Sequence, residues 1–156
     1  MARYQTTLCL VVLNTIGLGL AAIGWAYGIL QSVFLEDISK MTWVCAASML
    51  LMVGMIIYNT FKLDGIDKIV NENDIEDILA LPDLFRSETL MCFGLLGSMI
   101  GATVVMGNIG HEATDASSLG FMSLLHASMV GIVSKIWVDI NSTIQSYRIR
   151  SLARVS

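Results

Sequence analysis

Four stretches without a single Asp, Glu, Lys or Arg limit what this chain can become. They are Tyr4 to Leu35 (32 residues), Met41 to Phe61 (21), Thr89 to Gly110 (22) and Ala116 to Ser134 (19). A helix needs roughly 20 apolar residues to cross a hydrocarbon core about 30 Å thick, so each stretch has the length of a span. In a chain of 156 residues they leave one internal segment and one tail to face water. The composition agrees, with 55% hydrophobic against 14% charged residues and a mean hydropathy of +0.71. The expected fold class is an all-α membrane protein with four transmembrane helices at about 7–34, 42–61, 88–110 and 117–139. A cytoplasmic connector, 62–87, and a cytoplasmic helical tail, 140–156, complete a single membrane domain.

This arithmetic excludes several classes. Neither water-facing segment is large enough to enclose a substrate pocket, so the chain is not read as an enzyme. A net charge of -4 and a pI near 4.9 offer no basic footprint for nucleic acid. Cys9, Cys45 and Cys92 are odd in number, lie in apolar runs and lack ligand spacing, so they read as small packing residues, with no metal or cofactor expected. The first span has no small-residue cleavage site and reads as a retained helix.

Orientation follows from the basic residues. With the amino terminus in the cytoplasm, the inner segments carry Arg3, Lys62, Lys68, Arg86, Arg148, Arg150 and Arg154, and the outer connections only Lys40. Positive-inside therefore places both termini in the cytoplasm.

Gly24 and Gly28 stand one turn apart in the first span and predict a close helix approach. The short turn Glu36 to Lys40 makes spans one and two antiparallel neighbours. In the connector, Ile66, Ile69, Val70, Ile75, Ile78 and Leu79 share a helical face, Asn73 and Glu76 resemble a capping box, and Pro82 ends the helix. That segment reads as a connector resting on the ends of the spans, with a docking surface for a soluble partner as the rival reading.

The polar content of spans three and four is patterned. At ~100° per residue, Gly94, Ser98, Gly101, Val105 and Asn108 form one stripe on span three. On span four Ser128, Gly131, Lys135 and Asp139 share a face, while Ser123, His126, Val130 and Ser134 lie on another. Ser98 and Ser128 lie about ten residues from opposite ends of their antiparallel spans, which at ~1.5 Å per residue brings both near mid-membrane. Each serine alone is also satisfied by bonding the carbonyl four residues back.

The run Gly94-Leu95-Leu96-Gly97-Ser98-Met99-Ile100-Gly101 is similar to the Gly-Leu-Leu-Gly-Thr-x-x-Gly run in the pore helix of the MotA/TolQ/ExbB proton-channel family. Leu124-Leu125-His126-Ala127-Ser128-Met129-Val130-Gly131 resembles that family's following helix, and the likeness covers about 60 residues, Glu88 to Arg148. The resemblance implies a minimal member with a reduced cytoplasmic domain, working as a homo-oligomeric ring, a pentamer, in the cell inner membrane. Proton flow would move a single-span partner, two copies of which fill the pore and carry the intramembrane Asp. Ser98 and Ser128 would line the pore with Gly94, Gly101, Asn108 and Gly131, and Gly97 would join Gly24 and Gly28 in helix packing. Read from the residues, Lys135 snorkels toward the cytoplasmic headgroups beside Trp137, with a cationic inner mouth, neutralised by Asp139, as its rival role. His126 is a candidate proton relay, or else a hydrogen-bond donor to a neighbouring helix. Arg148, Arg150 and Arg154 of the tail face either anionic headgroups or the acidic segment from Asp64 to Glu88. The rival function is a holin-like pore former or an oligomeric scaffold, which would use the same small residues without a hydroxyl ring.

Overall fold

An apolar solvent offers the backbone no hydrogen bonds, so sequences of this kind close their N–H and C=O groups within helices. The computed structural model describes residues 4–65, 87–107 and 114–153. The regular elements among them are all helices: α1 (Gln5–Ala26), α2 (Ile29–Leu35), α3 (Met41–Asp64), α4 (Ser87–Gly107) and α5 (Thr114–Ala153). Four segments, Gln5–Ala26, Met41–Asp64, Ser87–Gly107 and Gly120–Ser151, are long and apolar enough to cross a membrane. The helix and capping box expected in the connector, and Asn108, lie outside the described residues.

The first span is not one helix. Tyr27 and Gly28 turn the chain between α1 and α2, their N–H groups bonding the carbonyls of Ile23 and Trp25. Gly28 has φ +80°, a left-handed conformation that a side chain would strain. The close approach expected at Gly24 and Gly28 is absent, because a Cβ at Gly24 would touch only Leu30 of α2, at 3.4 Å, and one at Gly28 nothing within 4 Å. The contact falls instead on Gly17, where the ring of Trp137 stands 2.6 Å from the Cβ position.

Helices α4 and α5 form an antiparallel pair seamed by glycine. A Cβ at Gly101 would stand 2.6 Å from the Gly120 carbonyl oxygen and 2.7 Å from the Leu124 nitrogen. One at Gly94 would meet the Ala127 carbonyl at 2.9 Å, and one at Gly131 the Leu90 carbonyl at 2.9 Å. Backbone rests on backbone along three turns, an approach only small residues permit. Gly97 completes the seam against Ala127 and also receives Met41, the first residue of α3.

Contacts at the two ends of α3 show that the helices are staggered. Its start lies beside Gly97 and Ala127, while Asp64 at its end meets Arg148 of α5. Thr7 of α1 bonds the same carboxylate, and at the other end Trp25 packs on Trp43. The pair α1 and α3 therefore runs beside α5 from about Ala127 to Arg148, whereas α4 runs beside it from about Gly120 to Asp139, where Ser87 lies. Ten residues of α4 pass beyond the start of α3, a projection of ~15 Å. Both levels are served by α5, whose 40 residues reach ~60 Å, twice a ~30 Å core. The expected span and tail are thus one unbroken helix from Thr114 to Ala153.

Leu10, Met52, Val53, Ile56, Leu90 and Val138 make the buried core where α1, α3, α4 and α5 meet. Cys45 is buried there and its thiol donates to the Leu90 carbonyl at 3.8 Å. Cys9 and Cys92, also expected to pack inside, are exposed on the outer surface. Aromatic side chains collect at both ends of the α1 and α3 pair. Trp25, Phe34 and Trp43 cluster at one end. At the other, Tyr4 stacks on Phe61 and Lys62 lies 4.7 Å over the Tyr58 ring. The 15 to 18 residues of α3 between these clusters correspond to ~22–27 Å, the separation of two interfacial belts.

Candidate functional site

The two serines meet. Ser98 and Ser128 are half-buried and hydrogen-bonded to each other across the seam. Ser98 Oγ also lies 3.0 Å from the carbonyls of Gly94 and Leu124, and Ser128 Oγ 3.0 Å from that of Leu124. Each hydroxyl has one proton, so either Ser98 donates to Ser128 and Ser128 to Leu124, or Ser128 donates to Ser98 and Ser98 to a carbonyl. Both directions satisfy the pair, and the chain is able to reverse without breaking its partners apart.

Gly94, Gly101 and Gly131, expected along a lumen, are fully enclosed in the seam, where they set the helix separation that lets the hydroxyls touch. Lys135 and Asp139 form an ion pair one turn apart on α5, with side chains 26% and 45% exposed. Glu88 lies within electrostatic reach of Lys135 and the Ser87 hydroxyl reaches Asp139. The pair, expected at an inner mouth, stands level with the middle of α1, because Trp137 between them rests on Gly17 and bonds Asn14 at 2.9 Å. His126 is half-buried and its Nδ1 has no hydrogen-bond partner among the described residues. The hydrogen bond to a neighbouring helix that was its alternative role is therefore not made through this atom.

From Ser128 to Ser146 a longer pattern emerges on α5. Ser128, Lys135, Asp139, Ser142 and Ser146 fall within an arc of about 60° at ~100° per residue, and no apolar residue in that interval shares it. All five are half-buried or exposed, in contrast to Ala127, Ser134, Val138, Asn141 and Gln145 on the packed face. The stripe runs ~27 Å, close to the thickness of a hydrocarbon core, with the serine pair at its head.

Three polar groups are buried by partners distant in sequence. Asp37, fully buried, accepts hydrogen bonds from Ser39 N–H and hydroxyl, Thr42 N–H and hydroxyl, and the Ser123 hydroxyl. Burial alone would raise its pKa, but the bonds from Ser123, Ser39 and Thr42 outweigh it and hold the carboxyl below its ordinary value. At the opposite end Asp64, also fully buried, takes Arg148 Nε at 2.8 Å and Thr7 hydroxyl at 2.7 Å. Of the two partners open to Arg148, the structure pairs it with the acidic side. Midway, Asn14 donates to Asn141 at 2.6 Å and to the Leu10 carbonyl, tying α1 to α5. The spacing Asp37, Ser39, Thr42 is the local signal of a turn carboxylate capping the next helix, whereas Ser123, Arg148 and Asn141 are too distant in sequence to be paired by inspection.

Compared with models of known families, with curated proteins and with solved structures, the chain matches none.

Proposed function

We propose that this chain is a subunit of an oligomeric, multi-pass membrane channel that passes protons, with the polar stripe of α5 turned toward a shared path. The stripe carries the reading. Facing lipid, Lys135 and Asp139 would cost ~2.5–3.5 kcal/mol each near the bilayer centre, a penalty removed where the same face borders a wet lumen or a neighbouring copy. The reversible Ser98 and Ser128 pair gives that path a hydroxyl step at its head. In the family the sequence resembles, the copies number five and a single-span partner with an Asp occupies the axis, so a ring of five with two partner helices is the assembly proposed.

The test is flux in proteoliposomes, with and without a single-span partner. Ser98→Ala combined with Ser128→Ala is expected to lower proton flux at least about tenfold, equivalent to ~1.4 kcal/mol on the barrier, with the oligomer intact by native mass spectrometry. Both hydroxyls are satisfied within one protomer, an arrangement that also suits a holin-like or scaffold subunit. Unchanged flux in the double variant, or none in the parent chain, selects that reading.

A further inference from the structure

We infer that the end of the molecule where α1 begins and α5 leaves the bundle holds an anionic phospholipid headgroup. A cavity of about 400 Å³ opens there, bounded by Gln5, Thr6, Tyr147, Arg148 and Ser151, with Cys9 and Ile144 as its apolar wall. Its polar rim carries one cation, Arg148, beside neutral groups able to donate. Arg148 engages Asp64 through Nε alone, and its two terminal nitrogens have no partner among the described residues. The Gln5 amide, the Thr6 hydroxyl and the Tyr147 hydroxyl border the same cavity. The start of α1 itself is closed from within, the Thr7 N–H bonding Asp64 at 3.0 Å, so the rim acts through side chains. Among the described residues no carboxylate lines the cavity. Asp64 lies behind the rim, fully buried, with its oxygens engaged by Thr7 and by Arg148.

The position selects a lipid over a free ion. The cavity lies at the level of the Tyr4, Tyr58 and Phe61 belt, where headgroups reside. Cys9 and Ile144, about one turn nearer the middle of the helices, offer the acyl end of the molecule an apolar surface. A phosphodiester held by the Arg148 fork and the Gln5 amide, with its glycerol over Cys9 and Ile144, fits both halves.

The full chain in a mild detergent, titrated with phosphatidylglycerol, phosphatidylcholine of the same acyl chains, or inorganic phosphate, tests the inference through thermal unfolding. Phosphatidylglycerol is expected to bind about fivefold or more tighter than phosphatidylcholine, the factor one surface charge supplies, and to raise the unfolding temperature, with no rise from inorganic phosphate. Gln5→Glu places a negative charge on the exposed rim without touching the Asp64 and Arg148 pair. It is expected to unfold at the parent temperature without lipid and to lose the preference. Equal response to the two lipids, a full response to phosphate alone, or an undiminished preference in Gln5→Glu overturns the site. Arg148→Lys, which keeps a cation for Asp64 but loses the fork, is expected to retain the fold and weaken the preference, and an unchanged preference there also counts against it.

Discussion

The pair α4 and α5 and the pair α1 and α3 are both antiparallel and both apolar, yet they are held in opposite ways. The first is closed by absence of side chains, with Gly94, Gly101 and Gly131 bringing backbone onto backbone. The second is closed at its ends, by the Trp25, Phe34 and Trp43 cluster at one and by Thr7, Asp64 and Arg148 at the other. Between those ends a cleft of about 450 Å³ remains among α1, α3 and α5, bordered by Gly17, Gly54, Val53 and Trp137. Burial in a bilayer does not drive helices together, since lipid tails are as apolar as leucine. Close contact or polar bonds must do so, and this chain uses one device in each half.

The sharpest way to break the contrast is to put a side chain into the seam. Gly101→Leu meets Gly120 and Leu124 backbone atoms that cannot rotate away, so its cost is expected to exceed the ~1–3 kcal/mol of ordinary overpacking. Loss of the cooperative thermal transition in detergent, with α4 newly open to protease, is the expected result. A transition unchanged from the parent would mean the two helices are not in contact there.

The end clamp comes next. Arg148→Ala removes the guanidinium that bonds the buried Asp64 and is expected to destabilise by about 3 kcal/mol. Replacing both partners with apolar residues of similar size, Asp64→Leu with Arg148→Met, should recover most of that loss, since the buried carboxylate and its desolvation cost go with the guanidinium. A double variant as weak as the single one would show that the pair itself holds the helices.

Asp37→Asn is expected to cost ~2 kcal/mol near neutral pH, because an amide cannot accept all five donors. Its pH dependence has a defined sign. The folded carboxyl lies below its ordinary value, so its contribution is fully present above the unfolded value of ~3.9 and disappears as pH falls through the depressed folded value. Parent and variant should therefore differ steadily above about pH 4 and converge below it, and a gap that closes between pH 5 and 7 would refute this environment for Asp37.

The smallest effect is expected at Gly54, where a Cβ meets nothing within 4 Å. Gly54→Ala should be neutral or stabilise by up to ~1 kcal/mol through helix propensity. Placed beside Gly101→Leu, it separates glycines that hold a seam from glycines that merely border a cleft.

Much of this was readable in the chain. Charge-free length is set by bilayer thickness, so the four spans are visible without tertiary information, and the small residues of α4 announce a close contact because only they allow one. The serine pair followed from counting, since antiparallel helices of equal rise bring Ser98 and Ser128 to one height. Gly28 was misread because a glycine in an apolar run marks either an approach or a break, and only φ distinguishes them. The stripe below Ser128 is only half legible in the sequence, as Ser142 and Ser146 continue its periodicity past 139, the expected end of the span.

Composition and periodicity alone determined that this is a chain of membrane-length helices with a seam of small residues, because hydrophobic length and side-chain volume are local properties. The tertiary structure decided the stagger of the two pairs, the burial of Asp37 and Asp64, and the level of Lys135 and Asp139. Those depend on which distant donor reaches which carboxylate, and a hydrogen bond across 84 or 86 residues leaves no trace in local pattern.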